Sequence, residues 1–301
     1  MNKTGWIIYN GNLPGNKFFD FAQMLQEAAT RKNSHTKIYK NTELLALLDS
    51  DQLQILNQLP NALPDYVLFT DKDLYLAKQF ELLGVPVFNS ARAIEISDDK
   101  IATYQRLAYS QLPIPKTIIA PKIFIRNTNY PSFPDLETVI NTLGIPMIVK
   151  EAFGSFGEQV YLIRTLEELR NKIDELQGKP FMFQEFIKSS FGKDIRIQVV
   201  GNQVVAAMKR QAIDDFRANV TAGGTMEAYE PSEPEKKLAI QATKSIQADF
   251  AGVDLLFGPN EQPLVCEINS NAHIRNLLEC TGINTADYII DYTLEQISED
   301  K

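Results

Sequence analysis

The stretch Leu264-Val-Cys-Glu-Ile-Asn-Ser-Asn-Ala-His273 carries a carboxylate and an amide, Glu267 and Asn269, two residues apart on an otherwise apolar strand. A second apolar run, Val253 to Phe257, holds one carboxylate, Asp254. If Gly258–Pro263 closes a symmetric hairpin, Phe257 faces Leu264 and Asp254 faces Glu267. Strict alternation then puts Val265, Glu267 and Asn269 on one face, and Leu264, Cys266 and Ile268 on the other. Directly opposed carboxylates stand about 5 Å apart between Cβ atoms and repel. An apolar surround strengthens that repulsion. A divalent cation reverses the sign, because Asp254, Glu267 and Asn269 offer hard oxygen ligands that suit Mg2+ or Mn2+ held jointly with phosphates. On the hairpin alone a second reading stays open, in which both carboxylates lie on a solvent face.

Three further segments carry polar chemistry. Lys150-Glu-Ala-Phe-Gly-Ser-Phe-Gly-Glu-Gln-Val160 is a glycine-containing turn after an apolar strand that ends in lysine. Glycines let backbone N–H groups approach an anion, although the lysine precedes the loop and no Walker sequence is present. An ordinary hairpin tip accounts for the same residues. Arg196, Lys209, Arg210 and Arg217, with Asn219, form a cationic set near the acidic hairpin in sequence. Such cations either pair with the hairpin carboxylates or spread charge on a transferred phosphoryl group. The run Phe181 to Ile187 embeds Gln184 and Glu185 among apolar residues, a setting for a flat hydrogen-bonding ring or simply a strand end.

The elements that must position these groups alternate. Strands at Trp6–Tyr9, Lys37–Tyr39, Tyr66–Phe69 and Val85–Phe88 are each separated by helical segments, including Phe18–Thr30 and Leu74–Leu83, so a parallel sheet is expected. A helix over 97–110 is expected with Ser97 as its N-cap. The proline-rich run 112–122 marks a boundary, followed by strands at 146–150, 161–163 and 181–184 around a helix at 166–176. Hairpins at 194–210 and 253–269 enclose an irregular stretch, 214–225, and a helix at 234–250; a last helix spans 286–299.

At 301 residues the chain is long for one core. A net charge of −8 argues against a general nucleic-acid binder. The start shows no signal-peptide pattern, no apolar run approaches about 20 residues, and two cysteines make no disulfide framework. A cytoplasmic protein without a membrane partner is expected; homo-oligomerisation stays open.

Taken in order, Ser97-Asp-Asp-Lys100, the flap sequence, Gln184–Ile187, the 193–212 hairpin, Asp215 to Gly224, Ala251–Phe257 and Val265–Asn271 resemble the ATP-grasp superfamily, specifically RimK-like and LysX-like carboxylate–amine ligases. The resemblance spans roughly residues 84–297. It implies an α/β fold in three parts: an N-terminal parallel α/β domain (1–96), a central subdomain with the flap (97–186) and a mostly antiparallel catalytic subdomain (187–301). It also implies ATP and two Mg2+ or Mn2+ ions, an acyl-phosphate intermediate, and a small-molecule or peptide carboxylate joined to an amino-acid amine. Lys100 and Lys150 would contact phosphates, with Gly154, Ser155, Phe156 and Gly157 as the flap. Gln184, Glu185, Phe186 and Ile187 would hold adenine, and Asp194 would lie near the ribose. Arg210, Arg217 and Asn219 would act on the transferred phosphate, with Asp254, Glu267 and Asn269 on the metal. Arg196, Lys209, Asn271, His273 and Arg275 would face substrate. The segment after Asn269 departs from the usual RimK-like turn and is nearer the LysX-like pattern, so glutamate specificity does not carry over. A non-catalytic nucleotide-binding regulator on the same fold is the alternative; the complete cation and carboxylate set speaks against it.

Overall fold

The computed structural model describes residues 3–13, 15–56, 63–123, 136–155, 157–218 and 224–299. The chain opens with β1 (Thr4–Tyr9), α1 (Lys17–Arg31), β2 (His35–Lys40), β3 (Leu45–Leu48), β4 (Leu53–Leu56), β5 (Tyr66–Phe69), α2 (Leu74–Leu82) and β6 (Val87–Phe88). Strands β2-β1-β5-β6 make a parallel sheet in that order. Residues Phe21, Ala22, Leu25 and Ala28 bury one stripe of α1, as their helical spacing requires.

The segment after β2 is not helical. A short 3-10 turn leads into an antiparallel β3–β4 hairpin in which Leu45 faces Leu56. Leucines recurring at 44, 45, 47 and 48 satisfy a helical period, but the Asp49 N–H bonds the Gln52 carbonyl (3.1 Å) and folds the chain back. Leu44 and Ile55 then pack on the first core. Pairing overrides propensity here.

The expected helix over 97–110 is two helices. The first, α3 (Ala91–Asp98), is capped by Ser90, whose Oγ accepts from the Ala93 N–H. The second, α4 (Lys100–Tyr109), is capped by Asp99, whose Oδ1 accepts from the Ile101 N–H at 2.8 Å. Ser97 is therefore no cap: it is buried at the end of α3, donates to Ile94 O and shares a hydroxyl–hydroxyl hydrogen bond with Ser270 Oγ.

The second sheet runs β7 (Thr117–Ile119), β10, β8, β9 and is antiparallel; α5 (Leu136–Leu143) precedes β8 (Met147–Glu151), and α6 (Leu166–Glu175) separates β9 (Val160–Ile163) from β10 (Phe181–Glu185). The third sheet joins β11 (Lys193–Val200), β12 (Gln203–Gln211), β13 (Thr225–Ala228), β14 (Phe250–Phe257) and β15 (Pro263–Asn269) in the order β13-β12-β11-β14-β15. Helix α7 (Glu233–Ser245) covers one face, and ends earlier than expected because Gln247 takes a left-handed φ of 60°. The chain closes with α8 (Arg275–Thr281) and α9 (Thr285–Glu299). One core cluster runs from Ile7, Phe21 and Leu25 through Met208 and Phe250 to Leu277 and Ile290, so the first sheet and the last helices bury each other.

Candidate active site

The β14–β15 hairpin places Asp254 opposite Glu267, but Phe257 faces Pro263 rather than Leu264. The difference is a β-bulge between Asp254 and Leu255, where Cys266 is the extra residue. Two consequences follow from that one residue. Val265 joins Ile268 in the core, both 0–1% exposed, and Cys266 turns with Glu267 toward the cleft. Alternation from Leu264 onward therefore holds only to the bulge.

Asp254 does not meet Glu267 as a bare like charge. Its Oδ1 and Oδ2 accept from Arg196 Nε and Nη2, each at 2.7 Å, and Arg210 Nη2 stands 2.9 Å from Oδ2. Burial pushes the Asp254 carboxyl up, but the two guanidiniums outweigh it and hold the group below the ordinary carboxylate value. Arg210 also forks onto Asp194 (Nε to Oδ1, 2.7 Å), and both side chains are buried. Of the cations that could pair with the acidic hairpin, Arg196 and Arg210 do so, whereas Arg217 pairs with Asp215 and Lys209 with Glu227. Glu267 differs: among the described residues it has no hydrogen bond or ion pair, while Lys100 and Lys150 act on it through space.

Lys150, next to last in β8, is buried, with Nζ 3.9 Å from Cys266 Sγ and 5.5 Å from the Tyr104 ring centre. Burial opposes its charge, yet Cys266, Tyr104 and Glu267 hold its pKa above the ordinary value. Burial pushes the Cys266 thiol up to about 11 and the Tyr104 hydroxyl to about 12. Lys100 opens α4 and donates from Nζ to Gly154 O at 2.8 Å, and burial lowers its pKa. Its own N–H bonds Ala152 O at 2.9 Å, so the start of α4 anchors the flap. On the other side Arg217 donates to Gly157 O at 2.6 Å and pairs with Asp215 at 2.7 Å. Gly154 takes φ 132°, and a Cβ there would stand 2.1 Å from Gln159 Oε1, so the flap needs glycine at this point.

These groups line two adjoining pockets. The first lies between the second and third sheets and includes Lys100, Lys150, the Gln184–Ile187 run, Asp194, Arg217 and Cys266. Gln184 is buried and donates to Thr117 Oγ1 (2.9 Å); the Glu185 N–H bonds Lys116 O (2.9 Å), and Phe186 meets Phe191 edge-on. The second pocket opens toward the first sheet and includes Lys17, Lys72, Ser155, Arg196, Asn269, Asn271 and His273. Gly157, Arg210, Asp254 and Glu267 line both.

Some residues singled out from sequence are not brought here. Lys209 alternates to the other face of β12, where it pairs with Glu227 at 3.4 Å. Arg275 is directed at α1, donating from Nε to Asp20 at 3.0 Å, and lines neither pocket. His273 does reach the second pocket, with Nε2 3.3 Å from Asp20; burial and then Lys17 push its pKa down to about 4, so it is neutral. Phe156 and Asn219 lie outside the described residues. Conversely, Lys17, Phe18 and Lys72 line the second pocket and were not singled out. Their signal is positional: each follows the carboxyl end of a strand of the parallel sheet, β1 or β5, where ligands gather in such sheets.

The oxygen trio suits a hard cation. Among the described residues Asp254 has three of roughly four carboxylate lone-pair sites used and Glu267 has none used, and the buried Asn269 Nδ2, the donor half of the amide whose oxygen is the candidate ligand, has no partner. Among the described residues no cluster of three His, Cys, Asp or Glu side chains is placed to hold a metal alone. Two carboxylates and an amide leave the rest of a shell to phosphate and water, as Mg2+ prefers.

A model of the RimK-like ATP-grasp domain matches residues 97–293. The chain belongs to the RimK-like ATP-grasp family. An uncharacterised Mycoplasma pneumoniae protein (MG012 homolog) is 32% identical over 263 residues, covering 85% of this chain and 89% of that protein. A probable alpha-L-glutamate ligase of Trichodesmium erythraeum is 34% identical over 221 residues, covering 72% and 70%. The D-alanine–D-alanine ligase of Bacillus anthracis complexed with ATP superposes with a TM-score of 0.72 at 16% identity, over 99% of this chain and 100% of that one. The ATP-grasp ligase PsnB with a minimal precursor, Mg and ADP gives 0.69 at 17% identity, over 98% of each chain. At these identities the structural likenesses establish the ATP-grasp fold. Among the described residues no helix is long and apolar enough to cross a membrane.

Proposed function

We propose that this family member is an ATP- and Mg2+-dependent carboxylate–amine ligase working through an acyl phosphate. The observation that carries the reading is the common wall of the two pockets, formed by Gly157, Arg210, Asp254 and Glu267. A group passing from nucleotide to substrate crosses that wall. We assign the first pocket to ATP. The Glu185 N–H is engaged, so a base would meet the Glu185 carbonyl and the Ile187 N–H, with Gln184, Phe186 and Asp194 beside it. Lys100, Lys150 and the Gly154–Gly157 flap would hold phosphates, the flap hooked down by Lys100 and Arg217.

Asp254, Glu267 and Asn269 would hold Mg2+, which when bound screens charge between the phosphates and the attacking carboxylate. In the second pocket Lys17, Lys72 and Arg196 favour an anionic carboxylate donor, and Asn271 and His273 face it. Its oxygen attacks the γ-phosphorus and the bond to the β-bridging oxygen breaks, giving ADP and an acyl phosphate. Arg210, with Arg217 and Asn219, stabilises the charge that develops. An amine then attacks the acyl carbon; the C–O bond breaks, phosphate leaves, and the nitrogen releases a proton to form the amide. In this assignment the three parts of the chain divide at about residues 96 and 186, with catalysis in the cleft between the last two.

Release of ADP on pairing amino acids with short peptides and small carboxylates tests the proposal. ADP formed only when both a carboxylate and an amine are present supports it. Binding of Mg·ATP with no ADP from any pair would favour a nucleotide-binding regulator instead.

A further inference from the structure

Asn89 follows β6 on the parallel sheet, yet its side chain serves the third sheet. It is 1% exposed. Its Oδ1 accepts from the N–H groups of Asp249 (2.6 Å) and Phe250 (3.1 Å), and its Nδ2 donates to the carbonyls of Phe250 (2.8 Å) and Ser270 (2.7 Å). That is the full hydrogen-bonding capacity of a carboxamide, and every partner is backbone at one end of the β14–β15 hairpin.

The last cross-strand pair of that hairpin is Gly252 with Asn269. Beyond it the Asn89 amide bonds Phe250 through both N–H and C=O, as a paired strand residue would, and takes the Ser270 carbonyl as well. The ladder ends there because a side chain fills the next rung. The chain after Asn269 instead folds back across the sheet: a Cβ on Gly252 would stand 2.4 Å from the Ala272 Cβ, so the turn rests on a glycine. This return brings Asn271, Ala272 and His273 to the second pocket. Ser97 adds a bond from its Oγ to Ser270 Oγ at 2.8 Å.

We infer that Asn89 is a positioning residue that sets where β15 stops, and so aims both Asn269 at the metal and the 270–273 turn at the substrate pocket. It touches neither metal nor substrate and acts through the Ser270 backbone. The inference rests on the reading of Asn269 as a metal ligand given above. A carboxylate lacks the two donors, and alanine takes this partner from the Phe250 N–H and from the Phe250 and Ser270 carbonyls.

The test is calorimetric titration of ADP with and without Mg2+, which needs no turnover, on wild type, Asn89→Asp and Ser97→Ala, alongside thermal melting. Asn89→Asp keeps shape and acceptors and loses the donors to Phe250 and Ser270. It is expected to lower the Mg2+-dependent gain in ADP affinity by about tenfold or more, the usual cost of removing a partner that orients a metal ligand, with Mg2+-free ADP affinity unchanged. Ser97→Ala is expected to lower the gain by a few fold. A folded Asn89→Asp protein with a wild-type Mg2+ gain overturns the inference. Should Asn89→Asp fail to melt cooperatively, an undiminished gain in Ser97→Ala overturns it in the same way. A wild-type chain that binds ADP without any Mg2+ gain overturns the metal assignment and this inference together. Intact Mg·ADP binding with no ligase activity removes only the proposed reaction.

Discussion

The two carboxylates proposed to hold the metal, Asp254 and Glu267, are predicted to part company when each is neutralised. Asp254 is 3% exposed and accepts from Arg196 and Arg210, so Asp254→Asn strips the counter-charge from two guanidiniums. Breaking a buried pair costs about 3–5 kcal/mol. Arg210 keeps Asp194, which places the cost at the lower end, about 3 kcal/mol, or a fall in Tm of about 6–12 °C. Glu267 has no ion pair among the described residues and faces Asp254 across the hairpin. Glu267→Gln removes both a like-charge neighbour already screened by two guanidiniums and the through-space attraction of Lys100 and Lys150, so the apo protein should hold its Tm within about 3 °C. Saturating Mg·ADP at about 100 times its Kd should stabilise wild type by about 2.7 kcal/mol. Both variants should lose most of that gain, and Glu267→Gln should also lose turnover. Differential scanning fluorimetry with ADP, with and without Mg2+, reads all of this on one plate. A Glu267→Gln protein that melts as low as Asp254→Asn, or keeps the full Mg2+ response, refutes the reasoning.

Arg217→Ala frees the flap carbonyl of Gly157 and should raise the KM for ATP by about tenfold with melting nearly unchanged; steady-state kinetics at fixed acceptor checks it. His273 titrates near 6.5 when unfolded but only at about 4 when folded, so its contribution of up to about 3 kcal/mol is intact above pH 6.5 and lost as pH falls toward 4. Urea unfolding across that window should show a flatter profile for His273→Gln than for wild type, and parallel profiles would contradict this. Lys209→Ala should change neither stability by more than about 0.5 kcal/mol nor any KM, since its pair with Glu227 is exposed. Arg275→Ala should lower Tm by a few degrees through Asp20 while leaving substrate KM values alone; a large KM effect would return Arg275 to the pocket.

Chemistry was legible where residues act through types and short spacings. Asp254, Glu267 and Asn269 were placed together because a hairpin needs only local counting, and the count survived the Cys266 bulge because the bulge lies beyond the Asp254–Glu267 pair. The same bulge defeated the faces assigned to Val265 and Cys266. Leu45–Leu56 was misread because leucine spacing there fits two periods and only pairing decides between them. Lys209 beside Arg210 looked equivalent by type, whereas strand alternation separates them. Asn89 gave no signal, since its partners lie 160 to 181 positions away and are backbone atoms.

The two pockets draw on the chain unequally. Among the described residues the first pocket takes its lining from Lys100 onward, inside the matched family segment, whereas the second recruits Lys17, Phe18 and Lys72 from ahead of it. On the proposed assignment, part of the substrate wall is encoded ahead of the segment that supplies the phosphate side, while Arg196, Asn271 and His273 complete it from inside that segment. On that assignment, exchanging the first third between relatives is expected to alter what is ligated and to leave ATP use in place, provided the incoming segment keeps an asparagine where Asn89 stands.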